Sequence, residues 1–318
     1  MTSSASRRVI YAALLGNILV ALTKFIAAVV TGSSAMLSEG VHSLVDTGNE
    51  VLLLYGLRRA ARPPDARHPF GHGRELYFWS FVVALLIFAV GAGISLYEGI
   101  THVLHPHPIT QPIVNYVVLG LALLFEGGSW WVVVREFRRT KGKLGYFEAA
   151  RESKDPPGFM ILFEDTAALL GLLMALGGTA AADLLRAPIF DGVASLAIGV
   201  LLGAVALFLA RESKALLIGE GASPEVIASI CQIARAEPSV EHANALLTVH
   251  LGPRQVVAAL SIDFADEISA GEVERIVARI EDRIRRRHPE IVTIFIKPQS
   301  AADFQQALKR RSEGSPEE

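Results

Sequence analysis

A stripe of polar side chains runs through one of the apolar stretches of the sequence. His42 and Asp46 are four residues apart, so a helix would stack them one turn apart on the same face. Glu39 and Asn49 extend this stripe. An ionised carboxylate at the centre of a bilayer costs at least ~2.5–3.5 kcal/mol on insertion scales, so such residues are normally retained for function. We therefore treat the stripe as a candidate ligand set.

A second apolar stretch, ILFEDTAALLG, contributes two adjacent carboxylates, Glu164 and Asp165. Imidazole and carboxylate groups from two facing helices can form a tetrahedral site for a borderline dication such as Zn²⁺. Both ligand types also bind protons, so a metal that binds there can displace protons. The predicted ligands are His42, Asp46, Asp165 and Glu164, with Glu39 and Asn49 as minor candidates.

Three other interpretations of this cluster stay open at this point. The polar residues could pair only with one another, or with Ser and Thr across helices. A metalloenzyme could use the cluster to activate water, but it needs a general base and an open coordination position. The chain has no H-E-x-x-H pattern to favour such an enzyme. A membrane metal sensor would bind the ion without translocating it.

A hydrophilic segment, PPDARHPFGHGRE, carries a second candidate metal site. Its ligands would be Asp65, His68 and His72, and one carboxylate with two imidazoles suits Zn²⁺. Pro69 and Gly71 argue against a regular helix here, so we expect a site built by a loop. The alternative is that the histidines cap the next helix or bond backbone carbonyls.

The composition predicts that these sites belong to a membrane protein. Hydrophobic residues make up 51% of the 318 residues and charged residues only 19%, with a mean hydropathy of +0.40. A bilayer core of ~30 Å needs about 20 apolar residues per helix. Six stretches are long enough: Ile10 to Thr31, Ser33 to Leu57, Leu76 to Ile100, Ile113 to Val134, Phe159 to Ala180 and Ile189 to Ala210.

The charges of the connecting segments predict how the six helices are oriented. Basic residues cluster at the N-terminus, between 58 and 74, and between 135 and 154, whereas the alternate connections carry almost none. The positive-inside rule then places both termini in the cytoplasm. Nothing in this pattern indicates a nucleic-acid partner. The single cysteine, Cys231, excludes an internal disulfide and a multi-cysteine zinc cage.

The C-terminal part of the chain has the pattern of a soluble domain. A helix, two strands, a second helix and a third strand are predicted at 224–236, 246–250, 256–264, 271–287 and 291–296. The predicted fold is therefore a mainly α membrane protein with six transmembrane helices and a C-terminal cytoplasmic α+β domain of αββαβ order, which is ferredoxin-like or metallochaperone-like. We expect a membrane domain at 1–211, a cytoplasmic domain at 212–302 and a disordered tail at 303–318.

The segments SSAMLSEGVHSLVDTGN and DARHPFGHGRELYFW resemble those of the cation diffusion facilitators, a family of proton-coupled exporters of zinc and related divalent metals. The resemblance implies a homodimeric metal/proton antiporter that works by alternating access, with no enzymatic activity and no organic cofactor. Zn²⁺ is the expected cargo, with iron, manganese, cobalt or nickel as alternatives. It also implies an integral protein of a lipid bilayer, here a bacterial inner (plasma) membrane.

The segment FEDTAALLG resembles the zinc transporter nine branch of that family and its bacterial relatives. The family has a pair of ligands four residues apart in its fifth span, and only Asp165 matches this pair, since the first position is Ile161. The resemblance implies that Glu164 supplies the missing ligand, although it lies about 100° around the helix from Asp165. Glu39, Asn49 or water are the alternatives.

The resemblance also bears on the C-terminal domain. His242 matches one ligand position of the family's cytoplasmic metal site. The other positions fall near Ser261, Phe295 and Lys297, and a lysine cannot replace a carboxylate as a ligand. We therefore expect no binuclear site there, and expect the domain to hold the dimer together.

Overall fold

The computed structural model describes residues 4–313, which form two compact units. The first unit comprises the described residues through Ala61 together with Glu75–Lys214. The second comprises Arg62–Arg74 and the described residues from Ala215 onward. The division differs from the predicted domains because the segment 62–74, expected in the membrane domain, groups with the C-terminal residues.

The first unit is built from long helices. Their bounds are α1 Ser4–Thr31, α2 Ser34–Ala60, α3 Arg74–Leu86, a π-helical segment Ile87–Ala92, α4 Gly93–Leu104, α5 Pro112–Thr140, the short α6 Tyr146–Glu152, α7 Pro156–Leu184 and α8 Ile189–Ile218. Five of the six predicted spans each coincide with one helix, namely α1, α2, α5, α7 and α8. The third span consists of α3, the π-helical segment and α4 in direct succession.

Four of these helical stretches are long and apolar enough to cross a membrane, judged over the described residues: Arg74–Leu104, Pro112–Arg139, Pro156–Leu184 and Ile189–Ile218. The helix α2 has 27 residues but carries Glu39, His42 and Asp46 in its interior, which lowers its hydropathy. The described part of α1 contains a shorter apolar stretch, Asn17–Thr31. The six helices are thus present, and four meet the criterion for a span.

Small side chains form the core between the long helices. Eight buried alanines pack with a few larger residues, and this lets the helix backbones approach closely. The buried cluster comprises Ala27, Ala28, Ala35, Met36, Ala92, Leu119, Ala122, Ala167, Leu172, Ala175, Ala194, Ile198 and Leu202. The polar positions of α2 are therefore held by tight helix contacts rather than by a loose bundle.

Asp191 fixes the beginning of α2. One of its carboxylate oxygens accepts a hydrogen bond of 2.6 Å from the hydroxyl of Ser33, which caps α2. The other accepts from the backbone N–H of Ser34 at 2.5 Å and from that of Ala35 at 3.3 Å. A carboxylate at a helix N-terminus satisfies free N–H groups and complements the helix dipole. This contact links the start of α8 to that of α2.

The second unit has a three-stranded sheet with helices. Its elements are α9 Pro224–Arg235, β1 Val240–Gly252, β2 Gln255–Phe264, α10 Ala270–Arg287, β3 Ile291–Pro298 and α11 Ala301–Glu313. The strand order is β1-β2-β3. The pair β1–β2 is antiparallel, whereas β2–β3 is parallel because α10 crosses over between them. The element order αββαβ agrees with the predicted order.

The apolar stripe of α10 supplies one side of this unit's core. Ile276, Ile280 and Ile284 recur at helical spacing and are all buried. They pack with Ile230 of α9 and with alternate residues of the strands, such as Ile262. The charged face of α10 is left to solvent. The periodicity that indicated this helix in the sequence is the one that fills the core.

The prediction of a disordered tail from 303 is wrong as far as residue 313. The helix α11 covers this segment, and the hydroxyl of Ser300 accepts a hydrogen bond of 3.1 Å from the N–H of Asp303. The carboxylate of Asp263 on β2 accepts a second one, of 2.9 Å, from Ala301. These caps stabilise a helix whose polar composition indicated disorder. The predicted tail at 314–318 lies outside the described residues.

Candidate metal centres

His42 and Asp46 lie on one face of α2, as predicted. The Nδ1 atom of His42 is 3.2 Å from a carboxylate oxygen of Asp46, and the His42 side chain is only 1% exposed. The contact lacks hydrogen-bond geometry, so both ring nitrogens are without a hydrogen-bond partner among the described residues. Buried polar groups normally have such partners. The imidazole is thus buried with both nitrogen atoms uncommitted.

A cavity of about 120 Å³ brings Asp46 and Asp165 to one place. Its polar lining also includes Glu126 of α5 and Glu50 of α2. One carboxylate oxygen of Asp165 is buried and has no hydrogen-bond partner in the described part of the chain. The cavity therefore collects carboxylates from α2, α5 and α7, and the apolar side chain of Ile161 supplies no ligand.

Glu164 points to a different partner. It accepts a hydrogen bond of 2.5 Å from the side-chain amide of Asn49, and it also interacts directly with the carboxyl group of Asp46. Two carboxyl groups in contact repel each other unless a proton or a cation lies between them. Glu164 does not line the cavity, but it interacts with Asp46, which does. Its role as a ligand stays a prediction.

The site also contains a buried lysine in α1, which was not among the predicted site residues. Lys24 has no exposed surface, and its Nζ lies 3.2 Å from Glu39, 2.8 Å from Glu126 and 2.8 Å from the hydroxyl of Ser43. The sequence analysis missed this residue. The signal was present, since a lysine inside an apolar run is as unusual as an aspartate there.

The two minor candidates of α2 already have partners. Glu39 is fully buried and forms the ion pair with Lys24. It also lies against Gly171 of α7, where any larger residue would collide with its carboxylate. Asn49 donates to Glu164. Neither lines the cavity, and their assignment as ligands stays a prediction.

The loop triad is a more exposed arrangement, and the structure brings its three residues together. One oxygen of Asp65 lies 3.2 Å from Nδ1 of His68, and the other lies 3.1 Å from Nε2 of His72. The two imidazole rings are 4.3 Å apart between centroids. Gly71 has a φ of +85°, a conformation that favours glycine, and it lets the loop turn back. The ligand atoms of the triad lie within 4.8 Å of one another.

Hydrogen bonds hold the carboxylate of Asp65 in its charged form. The backbone N–H of His68 donates to it at 2.7 Å and that of Arg67 at 2.8 Å. These hydrogen bonds lower the pKa of Asp65 to about 2. The backbone N–H of His68 contributes most, and the ring of His72 adds to the effect. An ionised carboxylate beside two imidazoles is ready to accept a cation.

A third group of ligand-type residues lies in the C-terminal sheet. Glu241, His242 and Asp263 have ligand atoms within 4.8 Å of one another. The antiparallel register places His242 opposite Asp263, a pairing that the sequence analysis did not foresee. Register also pairs Ser261 with Lys297, two of the positions where ligands were expected to be missing. The role of His242 and the absence of a binuclear site stay predictions.

Two family models match the chain. The model for the cation efflux transmembrane domain matches residues 10–218, and that for the cation efflux protein cytoplasmic domain matches residues 222–299. Together with the apolar helices and the buried polar cluster, these matches define an integral, multi-pass membrane transport protein rather than an enzyme. The chain belongs to the cation efflux family.

Curated relatives agree with this assignment. The chain is 35% identical to the mitochondrial proton-coupled zinc antiporter SLC30A9 of Homo sapiens over 259 residues, which cover 81% of this chain and 46% of that protein. It is 30% identical to metal tolerance protein C4 of Arabidopsis thaliana over 261 residues, with 81% and 57% covered. It is 28% identical to the cation-efflux pump FieF of Escherichia coli K12 over 289 residues, with 89% of both chains covered.

The chain spans about half the length of the first two of these relatives. The resemblance stated from the sequence is confirmed, both for the family and for the zinc transporter nine branch. The segments that carried the resemblance lie in α2, in the loop that follows it together with the start of α3, and in α7.

Proposed function

We propose that this protein exports divalent metal ions, zinc foremost, by metal/proton antiport with alternating access. The observation that supports this most strongly is the cavity lined by Asp46 and Asp165, next to the buried and uncommitted imidazole of His42, which contacts Asp46. A purely structural cluster would satisfy its polar groups internally. The relatives are named as a proton-coupled zinc antiporter and a cation-efflux pump.

The proposed ligands are His42 and Asp46 of α2 and Asp165 of α7, with Glu164 as the additional ligand. Metal would enter from the cytoplasm and bind these groups in their deprotonated forms. A movement of the helices would then expose the site to the other side. Protons that return to the imidazole and the carboxylates would release the ion, because one ligand cannot hold a proton and a metal at the same lone pair.

Zinc is the proposed cargo because a mixed set of imidazole and carboxylate ligands suits a borderline dication. Iron, manganese, cobalt and nickel use similar ligands and are the alternatives within the same proposal. The loop triad of Asp65, His68 and His72 is proposed as a second zinc site. Its arrangement of one charged carboxylate and two imidazoles supports this assignment.

We further propose six membrane spans, with α1 and α2 added to the four apolar helices. Helices of 28 and 27 residues reach about 40 Å at 1.5 Å per residue, which is enough to cross a bilayer. The ion pair between Lys24 and Glu39 reduces the cost of placing charges there. The basic residues at 58–74 and 135–154 favour cytoplasmic termini. We propose a bacterial inner membrane as the location.

The C-terminal domain is proposed to hold two copies of the chain together. The family model that matches residues 222–299 describes the cytoplasmic domain of cation efflux proteins, and the resemblance to this family implies a homodimer. In this proposal the domain is cytoplasmic and places two membrane domains side by side. Each protomer then has its own transport site.

Zinc flux tests the proposed function. The purified chain is reconstituted into liposomes with an imposed pH gradient, and zinc movement is followed with an encapsulated indicator. We expect flux that depends on the gradient, and its loss in Asp46→Ala. The matched control is Asp183→Ala, which removes an exposed carboxylate at the end of α7. Wild-type flux in Asp46→Ala would refute the site.

The same assay separates the transporter from a metal sensor. A sensor would bind zinc with Asp46 and Asp165 intact but would show no flux under any gradient. An antiporter would also move protons against zinc, which a pH dye inside the liposomes reports. Zinc binding without zinc or proton movement would therefore favour the sensor.

A further inference from the structure

Lys24 is a cation that the protein itself supplies to the buried cluster. Its ammonium group donates hydrogen bonds to three oxygen atoms, those of Glu39 and Ser43 in α2 and of Glu126 in α5. Because Lys24 is fully buried, its charge must be balanced by these carboxylates rather than by water. The lysine thus occupies a place among oxygen ligands that a metal ion could also occupy.

Glu126 belongs to both the lysine and the cavity. One of its carboxylate oxygens lies 2.8 Å from Nζ of Lys24. The other oxygen is buried and has no hydrogen-bond partner among the described residues. The same side chain lines the cavity that contains Asp46 and Asp165. A side chain with an uncommitted carboxylate oxygen therefore lines the place where the cargo is proposed to bind.

A separate observation indicates that this cavity takes a cation. The imidazole of His42, which is almost fully buried, keeps both nitrogens free of hydrogen bonds while it lies 3.2 Å from Asp46. Asp46 in turn lines the cavity with Glu126. Carboxyl groups of α2, α5 and α7 thus line a space of about 120 Å³, large enough for an ion, and His42 adjoins it through its contact with Asp46.

We infer that Glu126 is a further ligand of the transported metal and that Lys24 is an internal cation that holds Glu126 until the metal displaces it. The inference rests on the proposed transport function. In the empty protein Lys24 is shared between Glu126 and Glu39 and offsets one of their two negative charges. When a dication enters, Glu126 turns from the ammonium to the metal, and Lys24 stays paired with Glu39. The ligand missing at Ile161 is then supplied by a third helix, α5.

This exchange has a physical advantage over binding to an unpaired carboxylate. A buried carboxylate without a counter-charge is costly, so an empty site needs a proton or another cation. A lysine on α1 provides that cation without leaving the protein. Because the metal must compete with Lys24, the site binds its cargo less tightly than the same ligands would without the lysine, and this favours release.

Zinc titration of the detergent-solubilised full chain tests the role of Glu126. The parent is Asp65→Asn, which removes the carboxylate shared by the loop histidines, so that the intramembrane site is titrated. Addition of Glu126→Gln should weaken zinc binding about tenfold or more, as loss of a metal ligand does. The control is Glu136→Gln on the same helix, an exposed residue paired with Arg139, which should leave the affinity unchanged.

A second variant tests the role of Lys24 and keeps charges balanced. The double substitution Lys24→Met and Glu39→Gln removes the ammonium and one of its two carboxylates. Glu126 then keeps its charge, and the metal no longer competes with Lys24 for it. Zinc affinity should then rise about tenfold, and zinc release during transport should slow. Unchanged or weaker binding in this variant would overturn the exchange.

The outcomes separate this inference from the proposed function. If Glu126→Gln binds zinc within about twofold of the parent while Asp46→Ala abolishes binding and flux, the inference is wrong and the transporter stands. If the parent binds no zinc at all, both fail. If Glu126→Gln weakens binding but the wild-type protein shows no flux, Glu126 is a ligand of a protein that is not a transporter.

Discussion

The loop triad and the intramembrane cluster use the same ligand types, but only in the loop triad have three ligand groups already converged. In the loop, Asp65 already lies within 3.2 Å of both histidines, and about half of its surface is exposed. In the membrane unit, His42 and Asp46 are adjacent, but among the described residues they form no group of three ligand atoms as compact as the loop triad. Backbone N–H groups donate to Asp65 in the first arrangement, whereas in the second Lys24 is paired with two neighbouring carboxylates, Glu39 and Glu126.

The difference shows how burial changes what an empty site requires. An exposed carboxylate is solvated, so three ligands can converge without a metal. A group of buried carboxylates repel one another, and a proton or an internal cation must take the metal's place. Lys24 fills this requirement in the intramembrane cluster. The loop needs no such residue, since hydrogen bonds from His68 and Arg67 hold Asp65.

The largest expected effect is that of Lys24→Met alone. Removal of the ammonium leaves Glu39 and Glu126 without their cation, and breaking a buried ion pair from one side costs about 3–5 kcal/mol. We expect the free energy of unfolding of the full chain in detergent to fall by this amount. The control is Lys143→Met, which removes an exposed lysine of the same unit.

Thermal and chemical unfolding followed by circular dichroism measure this loss. Addition of Glu126→Gln to Lys24→Met should restore part of the stability, because one of the two stranded charges is then removed. If Lys24→Met is as stable as the control, the lysine does not balance the buried carboxylates, and the contrast between the two regions disappears.

A smaller effect is expected from His72→Ala in the loop. The imidazole lies 3.1 Å from Asp65, and its removal should weaken zinc binding at the loop about tenfold, or ~1.4 kcal/mol. Binding is measured by calorimetric titration in an Asp46→Ala background, which isolates the loop. A matched variant, His105→Ala, removes a histidine of another connection. Equal affinities for the two variants would exclude His72 as a ligand.

The smallest expected effect is a change in the stability of the loop at low pH. The pKa of Asp65 is lowered to about 2, so its ionised form stabilises the loop above its usual pKa, and the stabilisation is lost only as the pH falls toward 2. The difference in melting temperature between the wild type and Asp65→Asn should therefore stay constant from pH 7 to pH 5. It should shrink between pH 4 and pH 2. A difference that disappears by pH 5 would contradict the hydrogen-bonded arrangement.

Local patterns in the sequence were sufficient to predict most helices and strands. Long apolar runs and the stripe of Ile276, Ile280 and Ile284 are properties of single elements, so they could be recognised without tertiary information. The strand β1 begins at Val240, six residues before the predicted start, because register irregularities break its alternation. The helix α11 depends on a cap from Asp263, a residue on a different element.

Only those parts of the candidate sites that are local in the sequence could be predicted. His42 and Asp46 are neighbours on one helix, and the loop triad spans only eight residues, so spacing was enough to propose both. The contacts of Lys24 join residues 15 and 102 positions apart in the chain. Such pairings depend on helix packing, which a single sequence does not specify. Glu126 could therefore be noticed as a charge in an apolar run, but not assigned a partner.

Anomalous scattering from zinc-soaked crystals of the full chain would test the central claim most directly. The proposed function predicts a zinc peak between α2 and α7, about 2.0–2.2 Å from a nitrogen of His42 and from carboxylate oxygens of Asp46 and Asp165. A second peak is expected at Asp65, His68 and His72. Zinc found only at the loop, with the cavity beside Asp46 and Asp165 empty at saturating metal, would contradict the assignment of the intramembrane cluster as the transport site.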